Sequence, residues 1–394
     1  MPAAASALLR CLAEGSGHWE AAPNKTAPYI LERPPRVSRY APQACDKPGK
    51  RSTRRVLQHT WVPDGPRCAS LLHHQHGSWL NSTLESLASR FCRRHSGSRI
   101  LLVGDSIMSQ WFIGLAAALG EPSFSAASVR ACAGSGGGGG GSVLDYDVGQ
   151  TARVCGGHVE LQYVRNGVLD VNASAEEAAR ASHGRCVADP ASTNQPWLYL
   201  VPQHDFVVLN RGVWVEENAE KFEAELNATI HALALARHAR TAEQQHEEAG
   251  GAVGRARQRR PPPRVVWRGT PASIPRCWRL RDPLPTPFEF NFSAAPSLAT
   301  ERGVALFKWH HFAPQNGVAR RLVEAAGHAY LDTYTQTALR PGGHHPSRHD
   351  CVHWCLPGPP DEWTRLLLLL WLHDSPARHA SSMVPDQPVH ANLK

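Results

Sequence analysis

Residues 100–106 read ILLVGDS, a continuous aliphatic run that ends in a Gly-Asp-Ser turn, and no other segment restricts the fold as tightly. A run of this length and composition fits a strand buried on both faces. Residues 107–119 follow with apolar side chains at helical spacing, so the pattern predicts strand, tight turn and helix. Similar buried-strand candidates are FVVLN at 206, RVVWRG at 264 and AYLDTY at 329, with helical stretches at 219–238 and about 298–326 between them. Alternating strands and helices predict an α/β fold whose central parallel sheet is covered on both faces. Functional side chains of such sheets sit at the C-terminal ends of the strands, where Ser106 and Asn210 both fall.

A serine in the first turn of a helix has an unpaired backbone N–H and the positive end of the helix dipole beside it. Both favour an oxyanion next to Ser106 Oγ. An N-cap serine after a glycine turn also occurs in many α/β domains, so the tripeptide needs a partner. One stands near the C-terminus: in Asp350-Cys351-Val352-His353 the carboxylate and imidazole are three residues apart. On a helical turn or in a tight loop, that spacing lets Asp350 hold Nδ1–H of His353 while Nε2 faces a nucleophile. Asp-x-x-His alone is expected about once by chance in a chain this rich in both residues. Its surroundings make it specific, because DCVHWCLPGPPDEW (350–363) sets two cysteines, two tryptophans and a Pro-Gly turn around the pair. Pro359 and Pro360 then lead into a Leu-rich helix start.

This string, together with GDS on a strand-to-helix turn, resembles the trichome-birefringence-like polysaccharide O-acetyltransferases and the related PC-esterase group of the SGNH hydrolase superfamily. The resemblance extends more loosely from about Cys45 to Leu372, through Trp61-x-Pro63 with Cys68, FVVLNRGVW (206–214) and Leu331-Asp332-x-Tyr334. It implies an SGNH-hydrolase-like three-layer α/β/α sandwich with an irregular N-terminal extension and disordered insertions. It also implies Ser106 as acyl-accepting nucleophile, His353 as general base and then acid, and Asp350 as orienting carboxylate. Asn210 and Gly212 would join the Ser106 N–H as oxyanion donors. Two positions depart from the family pattern. Ser109 stands where members commonly carry an arginine, and Val213 stands where they often have a histidine after Asn-x-Gly. Neither change removes the triad.

On this reading the protein is an O-acetyltransferase that moves an acetyl group through Ser106 onto hydroxyls of a cell-wall or secreted polysaccharide. An acetyl esterase with the same triad and a non-catalytic glycan-binding protein of the secretory lumen are the alternatives. Water or a sugar hydroxyl as acceptor separates the two enzymes. No cofactor is expected beyond an acetyl donor, acetyl-CoA or another acetyl carrier, and the expected partner is a polysaccharide or oligosaccharide acceptor.

The 394 residues, 42 % of them hydrophobic, suffice for one large domain or two ordinary ones, and the α/β pattern fits one catalytic domain with elaborations. The expected organisation is a disordered tail at 1–44, a cysteine-containing subdomain at 45–95, a catalytic domain at 96–380 and a tail at 381–394. The glycine tract 134–142 and the acidic, then basic, then proline-rich segment 241–263 read as flexible insertions. No Lys-Ser/Thr follows the glycine tract, which argues against a phosphate-cradling loop.

A net charge of +8 invites a nucleic-acid reading, but the arginines are scattered and no aromatic-basic interleaving accompanies them, so nucleic acid is not an expected partner. A basic groove for an acidic glycan is the alternative use of that charge. The histidine pairs His73-His74, His310-His311 and His344-His345 lack carboxylates at ligand spacing, so no metal is expected. Cysteine bears on compartment. The resemblance implies that Cys351 and Cys355, which flank His353, are disulfide-bonded, with Cys277 the expected partner of Cys351 and an N-terminal cysteine, Cys45 or Cys68, that of Cys355. Five Asn-x-Ser/Thr sequons, at Asn24, Asn81, Asn172, Asn227 and Asn291, exceed the roughly one that eleven asparagines would supply by chance. Together they point to the secretory pathway, and the resemblance to the Golgi lumen. Met1 to Cys11 offers neither a spanning segment nor a clean signal peptide, so the membrane anchor usual in the family is not visible in this sequence. The run Leu366–Leu372 reads as the buried face of the last helix.

Overall fold

Strand β3, Arg99–Gly104, stands at the centre of a seven-stranded sheet. This computed structural model describes residues 16–25, 27–29, 56–64, 82–120, 124–130, 145–171, 194–214, 216–249, 261–345 and 350–373, with Cys11 and Cys68. The sheet order is β4-β5-β6-β3-β7-β8-β9. Strands β6 (Val159–Arg165), β7 (Phe206–Leu209), β8 (Arg264–Arg268) and β9 (Ala329–Leu331) run parallel to β3 or to one another. All four strands expected from the aliphatic runs are present in this parallel part. On the β6 side, β4 (Phe124–Arg130) and β5 (Asp145–Val154) add an antiparallel edge that the sequence patterns did not announce.

Period-two alternation assigns each residue of the central strands to one of two cores. Ile100 and Leu102 of β3, with Phe206 and Val208 of β7, face helices α1 (Leu84–Arg94), α2 (Ser106–Ala118) and α7 (Pro359–His373). Leu101, Val103, Val207 and Leu209 face α3 (Ala219–Ala249) and α5 (Phe312–Ala325), and the short α6 (Tyr334–Ala338) follows β9. Helices therefore cover both faces of a mostly parallel sheet, the three-layer arrangement expected. Helix α7 is buried on every side, and Leu366 to Leu372 are each at most 3 % exposed. That explains the apolar run Leu366–Leu372, and full burial of each leucine contributes about 1.5–3 kcal/mol. Among the described residues, no helix is long and apolar enough to cross a membrane.

Four expectations are corrected. Residues 17–21 were read as tail, yet they form β1 (Gly17–Ala21), antiparallel to β2 (His59–Pro63). This ribbon lies against α7: Lys25 pairs with Glu362 at 2.6 Å, Tyr29 Oη donates to Asp361 Oδ1 at 2.6 Å, and Arg365 Nη2 donates to the Trp61 carbonyl at 2.9 Å. Those partners lie more than 300 residues away in the chain, so a local pattern could not reveal them. The insertion at 241–263 begins as a continuation of α3 through Ala249, because TAEQQHEEA is rich in good helix formers. The single helix expected at 298–326 is interrupted at Lys308, whose φ of 50° ends the short helix α4 (Arg302–Phe307) before α5 begins. Cys68, a candidate partner of Cys355, is bonded to Cys11 instead. The glycine tract 134–142, residues 250–260, the tail 381–394, Cys45 and His73-His74 lie outside the described residues.

Candidate active site

Ser106 is the first residue of α2, directly after β3 and its Gly104-Asp105 turn. Asp105 is the N-cap and is fully buried. Its Oδ1 accepts the N–H groups of Ile107 and Met108 at 2.9 and 3.2 Å, and its Oδ2 accepts that of Val213 at 2.9 Å. Two of the orphan amides of the helix are satisfied in this way. The Ser106 N–H has no hydrogen-bond partner among the described residues, so it remains available beside Ser106 Oγ.

The structure brings Ser106, His353 and Asp350 together across 247 residues of chain. His353 Nε2 lies 3.0 Å from Ser106 Oγ, and Nδ1 lies 2.9 Å from Asp350 Oδ2. Asp350 Oδ1 also accepts the backbone N–H groups of Val352 and His353 at 3.2 and 3.0 Å. The three-residue spacing therefore forms a tight loop in which the carboxylate caps its own turn while gripping the imidazole. Burial acts to raise the Asp350 carboxyl, but the hydrogen bonds and charge of His353, with the two backbone N–H groups, outweigh it and hold the group well below the usual carboxylate range. Ser106 and His353 are each 8 % exposed, recessed but reachable.

Three devices hold the histidine loop. The Cys277–Cys351 disulfide ties it to the segment after β8. Cys355 is disulfide-bonded as well, to a partner outside the described residues. The third is Gln110, one turn along α2 from Ser106, whose side-chain amide hydrogen-bonds both the N–H and the carbonyl of Trp354. Trp354 also stacks on His344, with ring centroids 3.8 Å apart. Gln110 was not singled out from the sequence, although its position four residues after Ser106 places both on one helix face.

Two expected oxyanion donors are found engaged elsewhere. Asn210 follows β7, but its Nδ2 donates to the Arg268 carbonyl at 2.9 Å and to Thr270 Oγ1 at 3.4 Å. Its Oδ1 accepts from Arg268 Nη2. The Gly212 N–H points to the Gly167 carbonyl at 3.3 Å. Gly212 serves a different need, since a Cβ at this position would fall 1.7 Å from Asp105 Oδ2. Arg268 is itself fully buried beside Trp111 and Trp363. Burial lowers its guanidinium to about 10, while the nearby Asp105 opposes that shift. Ser109 accepts a hydrogen bond from Gln150 Nε2 at 3.2 Å, and Val213 reaches Asp105 through its backbone alone.

The remaining histidine pairs are accounted for by packing. His310 packs at a tilt against His311 and meets Phe292 edge-on. Among the described residues no cluster of three or more His, Cys, Asp or Glu could hold a metal ion.

Residues 320–370 match the PC-Esterase family, described as the GDSL/SGNH-like acyl-esterase family found in Pmr5 and Cas1p. The match includes Asp350 and His353 and leaves Ser106 outside. Among solved structures, a peptidoglycan O-acetylesterase is similar at 9 % identity and a TM-score of 0.37, covering 74 % of this chain and 97 % of that one. A second structure is similar at 13 % identity and a TM-score of 0.28, covering 70 % of this chain and 96 % of that one. No curated protein matches. The family similarity is thus confined to residues 320–370 of the 394-residue chain.

Proposed function

We propose that Ser106, His353 and Asp350 form a catalytic triad and that the protein is an O-acetyltransferase acting on a polysaccharide of the secretory pathway. The observation that carries this reading is the unbroken chain of contacts from Asp350 through His353 to Ser106 Oγ. Ser106 Oγ attacks the carbonyl carbon of an acetyl donor as its proton passes to His353 Nε2. The tetrahedral oxyanion forms beside the Ser106 N–H at the N-terminus of α2. The C–O or C–S bond to the donor breaks, and the departing group takes the proton from His353. An acceptor hydroxyl then loses its proton to His353, attacks the acetyl carbon and expels Ser106 Oγ, which recovers the proton. Asp350 stays ionised throughout and holds the imidazole in its tautomer. No cofactor takes part, and acetyl-CoA or another acetyl carrier supplies the group.

With water as acceptor the same steps give an acetyl esterase, a second reading that the acyl-esterase description of the matched family favours. Passage through an oxidising compartment is supported by the Cys11–Cys68, Cys92–Cys155 and Cys277–Cys351 bridges and by the exposure of Asn24, Asn227 and Asn291. The test is acetate release from an activated acetyl ester, with and without oligosaccharide acceptors. Transfer yields acetylated glycan by mass spectrometry and hydrolysis yields free acetate alone. Full activity in Ser106→Ala would overturn the assignment.

A further inference from the structure

We infer that the cavity adjoining Asp105 is a subsite for a neutral sugar residue stacked on Trp214, an inference that rests on the acyl-transfer reading of Ser106. The cavity encloses about 470 Å³ between the loop after β7, the first turns of α3 and the end of α4. Val213 lines it, and the Val213 N–H is bonded to Asp105 Oδ2, so the cavity wall touches the residue before Ser106. Trp214 lies across Gly167, where a Cβ would stand 2.6 Å from Trp214 Cδ1 and 3.5 Å from Asp105 Cβ. Only glycine at 167 lets the indole come this close to the Gly-Asp-Ser turn.

Most tryptophans of the described chain are buried, including Trp61, Trp111, Trp354 and Trp363. Trp214 is 41 % exposed, and Leu306, on the same cavity, is 62 % exposed. Phe307 meets Trp214 edge-on with centroids 6.3 Å apart, which fixes the plane of the indole. Such a surface next to a reactive serine calls for a flat, partly apolar ligand. A pyranose ring meets this requirement: one face is made of C–H groups, and its hydroxyls radiate toward polar side chains at the cavity edge.

Charge selects among sugars. The whole chain carries +8, which by itself would favour an acidic glycan, but the cavity does not share that excess. Arg211 is paired with Glu225, Lys221 with Glu216 and Glu225, and Lys308 with Glu217. Asp170 adds one more carboxylate to the wall. A uronate would find each of these cations already engaged and would face an excess of carboxylates. Neutral hydroxyls can accept from the lysines and donate to the glutamates without disturbing either.

Isothermal titration of the full chain carrying Ser106→Ala reads binding without turnover. The probes are gluco-, xylo- and manno-hexaose, with hexagalacturonic acid as the acidic counterpart. At least one neutral oligosaccharide should bind. Trp214→Ala should weaken it about tenfold or more, and Trp214→Phe should keep it within about threefold. Hexagalacturonic acid should bind about tenfold more weakly at low salt. Leu306→Asp, at an exposed position, is a second variant independent of the Gly167 packing and should weaken the same binding severalfold. No neutral binding, tighter acidic binding, or indifference to both the Trp214 and Leu306 substitutions overturns the subsite. The unsubstituted protein is assayed in parallel on an activated acetyl ester. Ester turnover without sugar binding defeats the subsite alone, and sugar binding without ester turnover defeats the acyl-transfer reading alone.

Discussion

Gln110 holds Trp354 by both backbone groups, with Nε2 donating to the carbonyl at 2.5 Å and Oε1 accepting the N–H at 3.0 Å. Ser106 lies one helical turn before Gln110, and His353 immediately precedes Trp354. One side chain thus ties the helix of the proposed nucleophile to the loop of the proposed base. Replacing it with alanine orphans two buried backbone groups at a cost of about 1–3 kcal/mol each. Gln110→Ala should lower kcat for an activated acetyl ester about 10- to 100-fold with a small change in KM. Gln110→Glu should be worse above the pKa of the new carboxyl, where its charge faces the Trp354 carbonyl, and should recover toward acid. Parental kcat in Gln110→Ala, or a pH-independent rate ratio of Gln110→Glu to the parent, would show that the clamp does not position His353.

Asp350 is held well below the usual carboxylate range, so its charge persists across neutral pH. Asp350→Asn removes that charge and favours the wrong imidazole tautomer. Steady-state acetate release should fall by about 10³–10⁴-fold, with the melting temperature little changed.

Gly212→Ala tests the fit between the loop after β7 and the turn before Ser106. The added methyl would stand 1.7 Å from Asp105 Oδ2, and three backbone N–H groups fix that carboxylate. Destabilisation above about 3 kcal/mol is expected by thermal or urea unfolding. A variant with parental stability would show that the loop moves freely.

Removal of the Cys277–Cys351 bridge, which spans 74 residues, should cost about 2–5 kcal/mol. Its effect on kcat should exceed that of removing Cys92–Cys155, because only the first restrains the residue next to Asp350. Equal losses of activity per unit of stability would refute a special role for that bridge.

Asp361 links stability to pH. Burial pushes its carboxyl up to about 7, against the opposing hydrogen bond from Tyr29. The unfolded group titrates near 3.8, so between about 4 and 7 the folded chain binds the extra proton. The contribution of this group therefore becomes less favourable as pH rises through that window, by at most about 4 kcal/mol. Asp361→Asn should be relatively more stable than the parent at pH 8 and lose that advantage at pH 4. A stability difference independent of pH would contradict the assignment.

The parallel centre of the sheet was legible because Ile100–Val103 and Phe206–Leu209 are buried on both faces and carry uninterrupted aliphatic sequence. Strand β6 was not, because VELQYVR places Glu160 and Gln162 between its apolar residues and includes no continuous apolar run. Asp350 and His353 stood out through the DCVHWCLPGPPDEW string around them, since their three-residue spacing alone is expected by chance. The engagement of Asn210 by Arg268 was hidden, since the partner enters from a strand 58 residues further on. Gln110 left a trace only in its register with Ser106, which acquires meaning once Trp354 is seen to dock on that helix face. Residues 17–21 gave no signal because a five-residue strand with alternating polar side chains resembles any extended tail.

The 247 residues between Ser106 and His353 set an order of events during biosynthesis. The serine and its helix emerge from the ribosome long before the imidazole does. In the interval Ser106 is an ordinary alcohol, unable to take an acyl group from carriers around it. On the proposed triad, Ser106 gains its base when His353 docks beside α2, a placement held by the Cys277–Cys351 bridge and the Gln110–Trp354 contacts. On that proposal a half-made chain is chemically silent, and completion of folding is itself the activation step.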